Sequence, residues 1–213
     1  MEFARKVVFA EAEEIRFKIF FDGSKDLVGI SVVVRSTLPN KKVIYRLLCN
    51  KSKLVADDVT TAPRSELTAC LVSSRVYSLI KEELRTFLAE YKGNISFEII
   101  GDSMIVLNQI KKNSFHFKTY AAARIQEIRE NTLNYPIIWS HICSQENLSD
   151  LLTRKYLKDP CELPWAQPSM KISEQTLEVT KIPMSSLPDA DKKQILLNSA
   201  IRCRTRFGVF DVL

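Results

Sequence analysis
The sequence predicts an α/β fold, a mixed sheet flanked by helices, and three observations carry that prediction. Strand-like runs cluster near the N-terminus, a long helix-period run follows them, and short strand and helix patterns then alternate to about residue 157. Three strands, a helix, a strand, helices, a strand and a helix make five strands in all.

Ile15, Phe17, Ile19 and Phe21 alternate with Arg16, Lys18, Phe20 and Asp22, the period of two of a strand with one strongly apolar face. GISVVVRS reads as its hairpin partner, and KKVIYRLLC as a third strand after a turn at Pro39-Asn40. Pro63 suits the start of a helix, and RSELTACLVSSRVYSLIKEELRTFL keeps the helical period to Leu88 before Gly93 stops it. NISFEIIGD is the fourth strand. Helical patterns follow from Ser103 to about Lys112 and from Thr119 to about Glu130, YPIIWSHIC is the fifth strand, and ENLSDLLTRKYL is again helical. Beyond Pro160 periodicity fades among Pro164, Pro168, Pro183 and Pro188 until a helix-like stretch near DKKQILLNSAIRC. The expected division is a lead-in at 1–14, a principal domain at 15–160 and an appended tail at 161–213.

A chain of 213 residues with 46% hydrophobic content can bury one good core. No apolar run approaches the roughly 18 residues of a membrane helix, and the first residues are too acidic for a targeting peptide. An intracellular setting, cytoplasm or nucleus, with no membrane partner, is expected. Cys49, Cys70, Cys143, Cys161 and Cys203 are odd in number, widely spaced and without a CxxC, which argues against a disulfide framework or a zinc site. The net charge of +6 favours polyanionic partners, and the absence of GxGxxG or P-loop patterns removes the usual support for a nucleotide cofactor.

Four acids and a histidine are candidate functional residues. Asp22 closes the first strand in an Asp-Gly-Ser sequence, which serves equally as a turn or a ligand position. Asp102 ends the fourth strand, where ligands sit in open α/β sheets, but could instead cap the following helix. Glu66 shares a stripe with Cys70, Tyr77, Ile80, Leu84 and Leu88, so its carboxylate turns toward the sheet and requires a partner: an Arg, a backbone donor or a cation. Asp150 projects opposite the stripe of Leu148, Leu151, Leu152 and Tyr156 and reads as a surface residue. His141 stands at the end of the fifth strand with no metal-ligand spacing around it. In KKNSFHFKTY, Lys111, Lys112 and Lys118 interleave with Phe115, His116, Phe117 and Tyr120; such a segment can contact phosphates and stack on bases, or can simply join two helices.

Taken together, FFDGS, SELTA, GDSMIVLNQI and SHICSQENLSD resemble the ribonuclease H superfamily in the order of its Asp, Glu, Asp, Asp site. LLCNKSKLV, APRSELTAC, KTYAAARIQEI, IIWSHI and ENLSDLLTR, with PWAQPSM beyond them, narrow the likeness to the RNase H-like region of BEL/Pao-type LTR retrotransposon polyproteins, over roughly Phe17 to Met170. The resemblance implies an RNase H-like fold, a mixed five-stranded sheet flanked by helices. It implies a metal-dependent endoribonuclease cleaving the RNA strand of RNA/DNA hybrids, with Asp22, Glu66, Asp102 and Asp150 as ligands of two Mg²⁺ ions, or Mn²⁺ in their place, and His141 as a mobile histidine near the scissile phosphate. Reverse transcriptase or other polyprotein domains are the implied partners. Gly23 where Ala is common, Ala123 where Asn is usual, and NLSD for NPAD are departures, and none removes a carboxylate. The alternative is an inactive RNase H-like module that binds nucleic acid or serves as a scaffold. An integrase or transposase domain is disfavoured by the SELTA helix directly after three strands and by the lack of a His-His-Cys-Cys module.

Overall fold
The computed structural model describes residues 7–55, 61–112, 114–133, 136–154, 172 and 177–181. The strands are β1 (Glu14–Gly23), β2 (Leu27–Thr37), β3 (Val43–Leu54), β4 (Asn94–Gly101), β5 (Ile137–His141) and β6 (Leu177–Lys181), and they form one sheet in the order β3-β2-β1-β4-β5-β6. β1 pairs antiparallel with β2, and β2 with β3, whereas β1, β4 and β5 run parallel. The five expected strands thus make the expected mixed sheet. A sixth, drawn from the segment read as tail, adds antiparallel to β5. Apart from Ile172, the remaining tail, including the helix-like stretch near residue 191, lies outside the described residues, as do Cys161 and Cys203.

The helices are α1 (Ala62–Glu83), α2 (Arg85–Glu90), α3 (Met104–Lys111), α4 (Thr119–Thr132) and α5 (Asp150–Thr153), with 3₁₀ turns at Ser114–His116 and Ser144–Glu146. Pro63 lies in the first turn of α1, where its missing N–H costs nothing. The helix expected to run unbroken to Leu88 breaks at Leu84, whose backbone leaves helical geometry (φ −96°, ψ 13°). The bend keeps Leu84, Phe87 and Leu88 against the core.

Ile15, Phe17, Ile19 and Phe21 bury the face of β1 that α1 covers, and Phe17 stacks on Phe97 of β4 at 4.9 Å while Tyr77 of α1 meets Phe97 edge-on at 5.0 Å. α4 packs beside α1, tied by the bidentate Arg75–Glu127 pair at 2.7 and 2.9 Å. The opposite face of the sheet is also closed: Phe20, Val33, Ile100, Ile142 and Leu148 form a second cluster, with Tyr45, Leu47 and Ile172 against it. Alternation predicted one strongly apolar face for β1, yet Lys18 on the other face is 1% exposed. Its ammonium lies 3.6 Å from Glu98 Oε2 on β4, and Arg16 lies 4.0 Å from the same oxygen.

Removing one member of a buried pair strands the other charge. Glu98→Ala is therefore expected to destabilise the protein by about 3–5 kcal/mol. Chemical denaturation checks this, and replacing Lys18 and Glu98 together by apolar residues of similar size should recover part of the loss.

Candidate metal and nucleic-acid site
Asp22 and Asp102 stand at neighbouring ends of the parallel strands β1 and β4, and several short approaches bring Glu66 and Asp150 toward them. Asp22 is the penultimate residue of β1, paired with Gly29 of β2. Gly23 is extended strand and has no positive φ, so it does not supply the turn expected of it. The turn belongs to Ser24, whose amide and hydroxyl both bond the Leu27 carbonyl, at 2.8 and 3.1 Å. Gly23 serves a close approach instead. A Cβ there would sit 2.6 Å from the Ser65 carbonyl and 2.7 Å from the Glu66 nitrogen, so only glycine lets the start of α1 reach the end of β1. Ser65 Oγ donates to the Ser24 carbonyl at 2.5 Å and fixes that contact.

Glu66 is carried in this way toward Asp22. It is half-buried, as its stripe predicted, and its partner is the Ser103 hydroxyl, which donates to Oε2 at 2.6 Å. Ser103 also takes the capping position that Asp102 could have held. The N-cap of α3 is Ser103, whose oxygen accepts from the Val106 amide at 3.4 Å, so Asp102 is not the cap. Asp102 follows the last residue of β4, and its carbonyl is 3.2 Å from Nε2 of His141 at the end of the neighbouring β5.

Asp150 corrects the periodicity reading. α5 is only four residues long, too short for a stripe to orient it, and what places it is a second glycine. A Cβ on Gly29 would meet the Ser149 carbonyl and Leu152 Cβ at 2.8 Å, so α5 lies directly on the β2 backbone beside Asp22. The preceding residues anchor it: Asn147 Nδ2 donates to the Phe21 carbonyl, and the Ser31 amide donates to Ser149 Oγ, both at 3.0 Å. Asp150 is consequently half-buried rather than a free surface acid. Thr153, one turn on, donates its hydroxyl to Asp22 Oδ2, and Arg154 Nη2 bonds Asp150 Oδ2.

Electrostatics records the gathering. Burial pushes the Asp22 carboxyl above its ordinary range, the negative charges of Asp102 and Asp150 push it further, and the Thr153 hydroxyl and Gly23 amide partly offset both. Burial likewise raises Glu66, opposed by the Ser103 hydroxyl and reinforced by Asp102 and Asp22. An all-oxygen donor set of this kind suits a hard divalent cation in its chemistry. Among the described residues, no three acidic, His or Cys side chains stand close enough together to hold an ion as they are placed. Three of the four acids are engaged by Thr153, Ser103 and Arg154 instead.

The second candidate set lies one helix away. α3, about 12 Å long at 1.5 Å per residue, begins two residues after Asp102 and ends at Lys111. Lys111, Lys112, Phe115, His116 and Lys118 are all exposed, Phe115 by 73%, with the Phe115 and His116 rings 4.3 Å apart. Phe117, by contrast, packs on the core. Tyr120 stands under two guanidinium groups, Arg124 at 3.5 Å and Arg64 at 4.7 Å from its ring centre. Sequence reasoning missed Ser103, Asn147, Thr153 and Arg154. Only Ser103 had a signal, a hydroxyl three residues before Val106 at a helix start.

Strand order and strand directions, with the helices that flank the sheet, are those of an RNase H-like fold. Residues 1–93 match the family described as the Pao retrotransposon-like RNaseH-like domain, a match that takes in Asp22 and Glu66 and ends before Asp102, His141 and Asp150. The likeness to BEL/Pao-type elements is thereby borne out over its N-terminal part. Solved structures similar in fold include RNase H1 from Halobacterium salinarum NRC-1 (15% identity, 63% of this chain and 90% of that one, TM-score 0.38). The N-terminal RNase H domain of rv2228c from Mycobacterium tuberculosis shares 14% identity over 65% of this chain and 91% of that one, TM-score 0.43. Prototype foamy virus protease-reverse transcriptase shares 18% over 64% of this chain and 18% of that one, TM-score 0.38. No curated protein sequence matches the chain. Among the described residues, no helix is long and apolar enough to cross a membrane.

Proposed function
We propose that the protein is a metal-dependent endoribonuclease that cleaves the RNA strand of RNA/DNA hybrids, in a retroelement's replication machinery or a gene derived from one. The observation that carries this reading is electrostatic proximity around Asp22: the charges of Asp102 and Asp150 act on Asp22, and those of Asp102 and Asp22 act on Glu66. The family match over residues 1–93 supports it.

Asp22, Glu66, Asp102 and Asp150 would hold Mg²⁺, with Mn²⁺ as a substitute, and the side chains now engaging three of them would release them to do so. Ions held there would supply an activated water and charge stabilisation for the leaving 3′ oxygen during in-line displacement. His141, whose Nε2 lies 3.2 Å from the Asp102 carbonyl, would move a proton at the same end of the sheet. Lys111, Lys112 and Lys118 would follow the phosphate backbone while Phe115 and His116 offer stacking faces. Replacing Lys111 and Lys112 by Ala is expected to weaken hybrid binding and reduce the slope of log K against log salt by roughly 1–2. Fluorescence anisotropy at several salt concentrations checks it, and an unchanged slope returns the segment to a simple helix connection.

A second reading, a noncatalytic nucleic-acid-binding or scaffold module, is favoured by one observation: no three candidate ligands among the described residues stand close enough to hold an ion as placed. A labelled RNA/DNA hybrid incubated with and without Mg²⁺ separates the two. The enzyme cuts the RNA strand only with the ion, whereas binding without cleavage in either condition supports the module.

A further inference from the structure
Arg154 is a cation that the sequence reading left out of the site. It directly follows α5, its Nη2 bonds Asp150 Oδ2, and its charge is felt by Asp22 as well. The Arg154 side chain is 62% exposed while that of Asp150 is 23% exposed, so the guanidinium approaches the carboxylates from the solvent side. An ion arriving from water meets Asp150 along the same side.

An exposed ion pair on a long helix needs no explanation beyond helix support. α5 has four residues and is held by Asn147, Ser149 and the close approach at Gly29, so the pair is not what keeps this turn in place. What it does change is the charge of the site. Four carboxylates from β1, α1, the end of β4 and α5 repel one another, and among the described residues Arg154 is the one cation paired to any of them. Ser103 and Thr153 donate hydrogen bonds to the set but bring no charge.

We infer that Arg154 is an internal counter-ion of the carboxylate site, holding Asp150 in place of a divalent ion and competing with that ion for it. The inference rests on the reading of Asp22, Glu66, Asp102 and Asp150 as metal ligands. A guanidinium on Asp150 Oδ2 uses the lone pair an ion would take, and its positive charge opposes a second cation nearby. Divalent binding then requires Arg154 to leave Asp150, which lowers the affinity of the site and leaves the guanidinium outside it. Arg154 is a positioning residue in this account, acting through Asp150.

The test titrates Mn²⁺ into the full chain, reading metal-free melting temperature and Mn²⁺ affinity by calorimetry for wild type, Arg154→Ala and Arg154→Lys. Arg154→Ala is expected to melt lower without metal and to bind Mn²⁺ about tenfold tighter, the scale on which groups around metal ligands tune affinity. Arg154→Lys, which keeps the charge, should stay near wild type in both. If wild type binds Mn²⁺ and Arg154→Ala binds it no more tightly, Arg154 is an ordinary surface pair and the inference is overturned while the metal site stands. If none of the three proteins binds Mn²⁺, the metal-site reading fails and the competition with it.

Discussion

Asp22→Asn is expected to abolish cleavage of an RNA/DNA hybrid, by at least about 10²-fold, the loss typical when one preorganised electrostatic group is removed from a reaction centre. The substitution keeps the shape of the side chain, and its amide oxygen can still accept from the Thr153 hydroxyl. The fold should therefore survive, with an unchanged circular dichroism spectrum. In metal-free buffer the variant should be more stable than wild type at neutral pH, and the sign follows from the raised carboxyls. Asp22 and Glu66 hold their protons more tightly folded than unfolded, their ordinary values being 3.8 and 4.5. Their contribution to stability is fully present below those values and is lost as pH rises through the raised ones. Asn has no such proton to lose, so the advantage of Asp22→Asn should widen from pH 4 toward pH 7. Denaturation at both pH values in EDTA checks this. Wild-type turnover in the variant would remove Asp22 from the site, and a variant less stable than wild type at pH 7 would mark Asp22 as a structural hydrogen-bond acceptor.

Divalent ions are expected to raise the melting temperature of wild type. An ion that binds only the folded state stabilises it by about 2.7 kcal/mol at one hundred times its dissociation constant. For a domain of this size that corresponds to a rise of about 5–10 °C. Asp22→Asn should show a much smaller rise at the same Mg²⁺ or Mn²⁺ concentration. Thermal melts across a metal titration decide it. Identical responses in wild type and variant would mean that the acids gather without forming a working metal site, and the scaffold reading would then lead.

The sequence alone determined the order of the strands through β5 and of the main helices between them, though not the break at Leu84, because each is set by local periodicity. Phe17, Ile19 and Phe21 alternate whether or not α1 is known to cover them, and Pro63 marks a helix start by its own chemistry. Glu66 was legible for the same reason, since a carboxylate on an apolar stripe betrays its direction. The position of Asp150 and the closure of the second face were not legible, and the cap at Ser103 was signalled only by a hydroxyl at a helix start. Asp150 faces the site because Gly29 admits α5 onto β2, a contact between residues more than a hundred apart that no local period encodes. Nothing local to Lys18 marks it as buried; the Glu98 partner that lets it be buried comes from β4. Gly23 looked like a turn, and only the start of α1 pressed against it shows a gap that a Cβ would fill. Local pattern fixes which way a side chain leaves its own element. Which elements meet, and so which carboxylates must share one space, is decided by long-range packing alone.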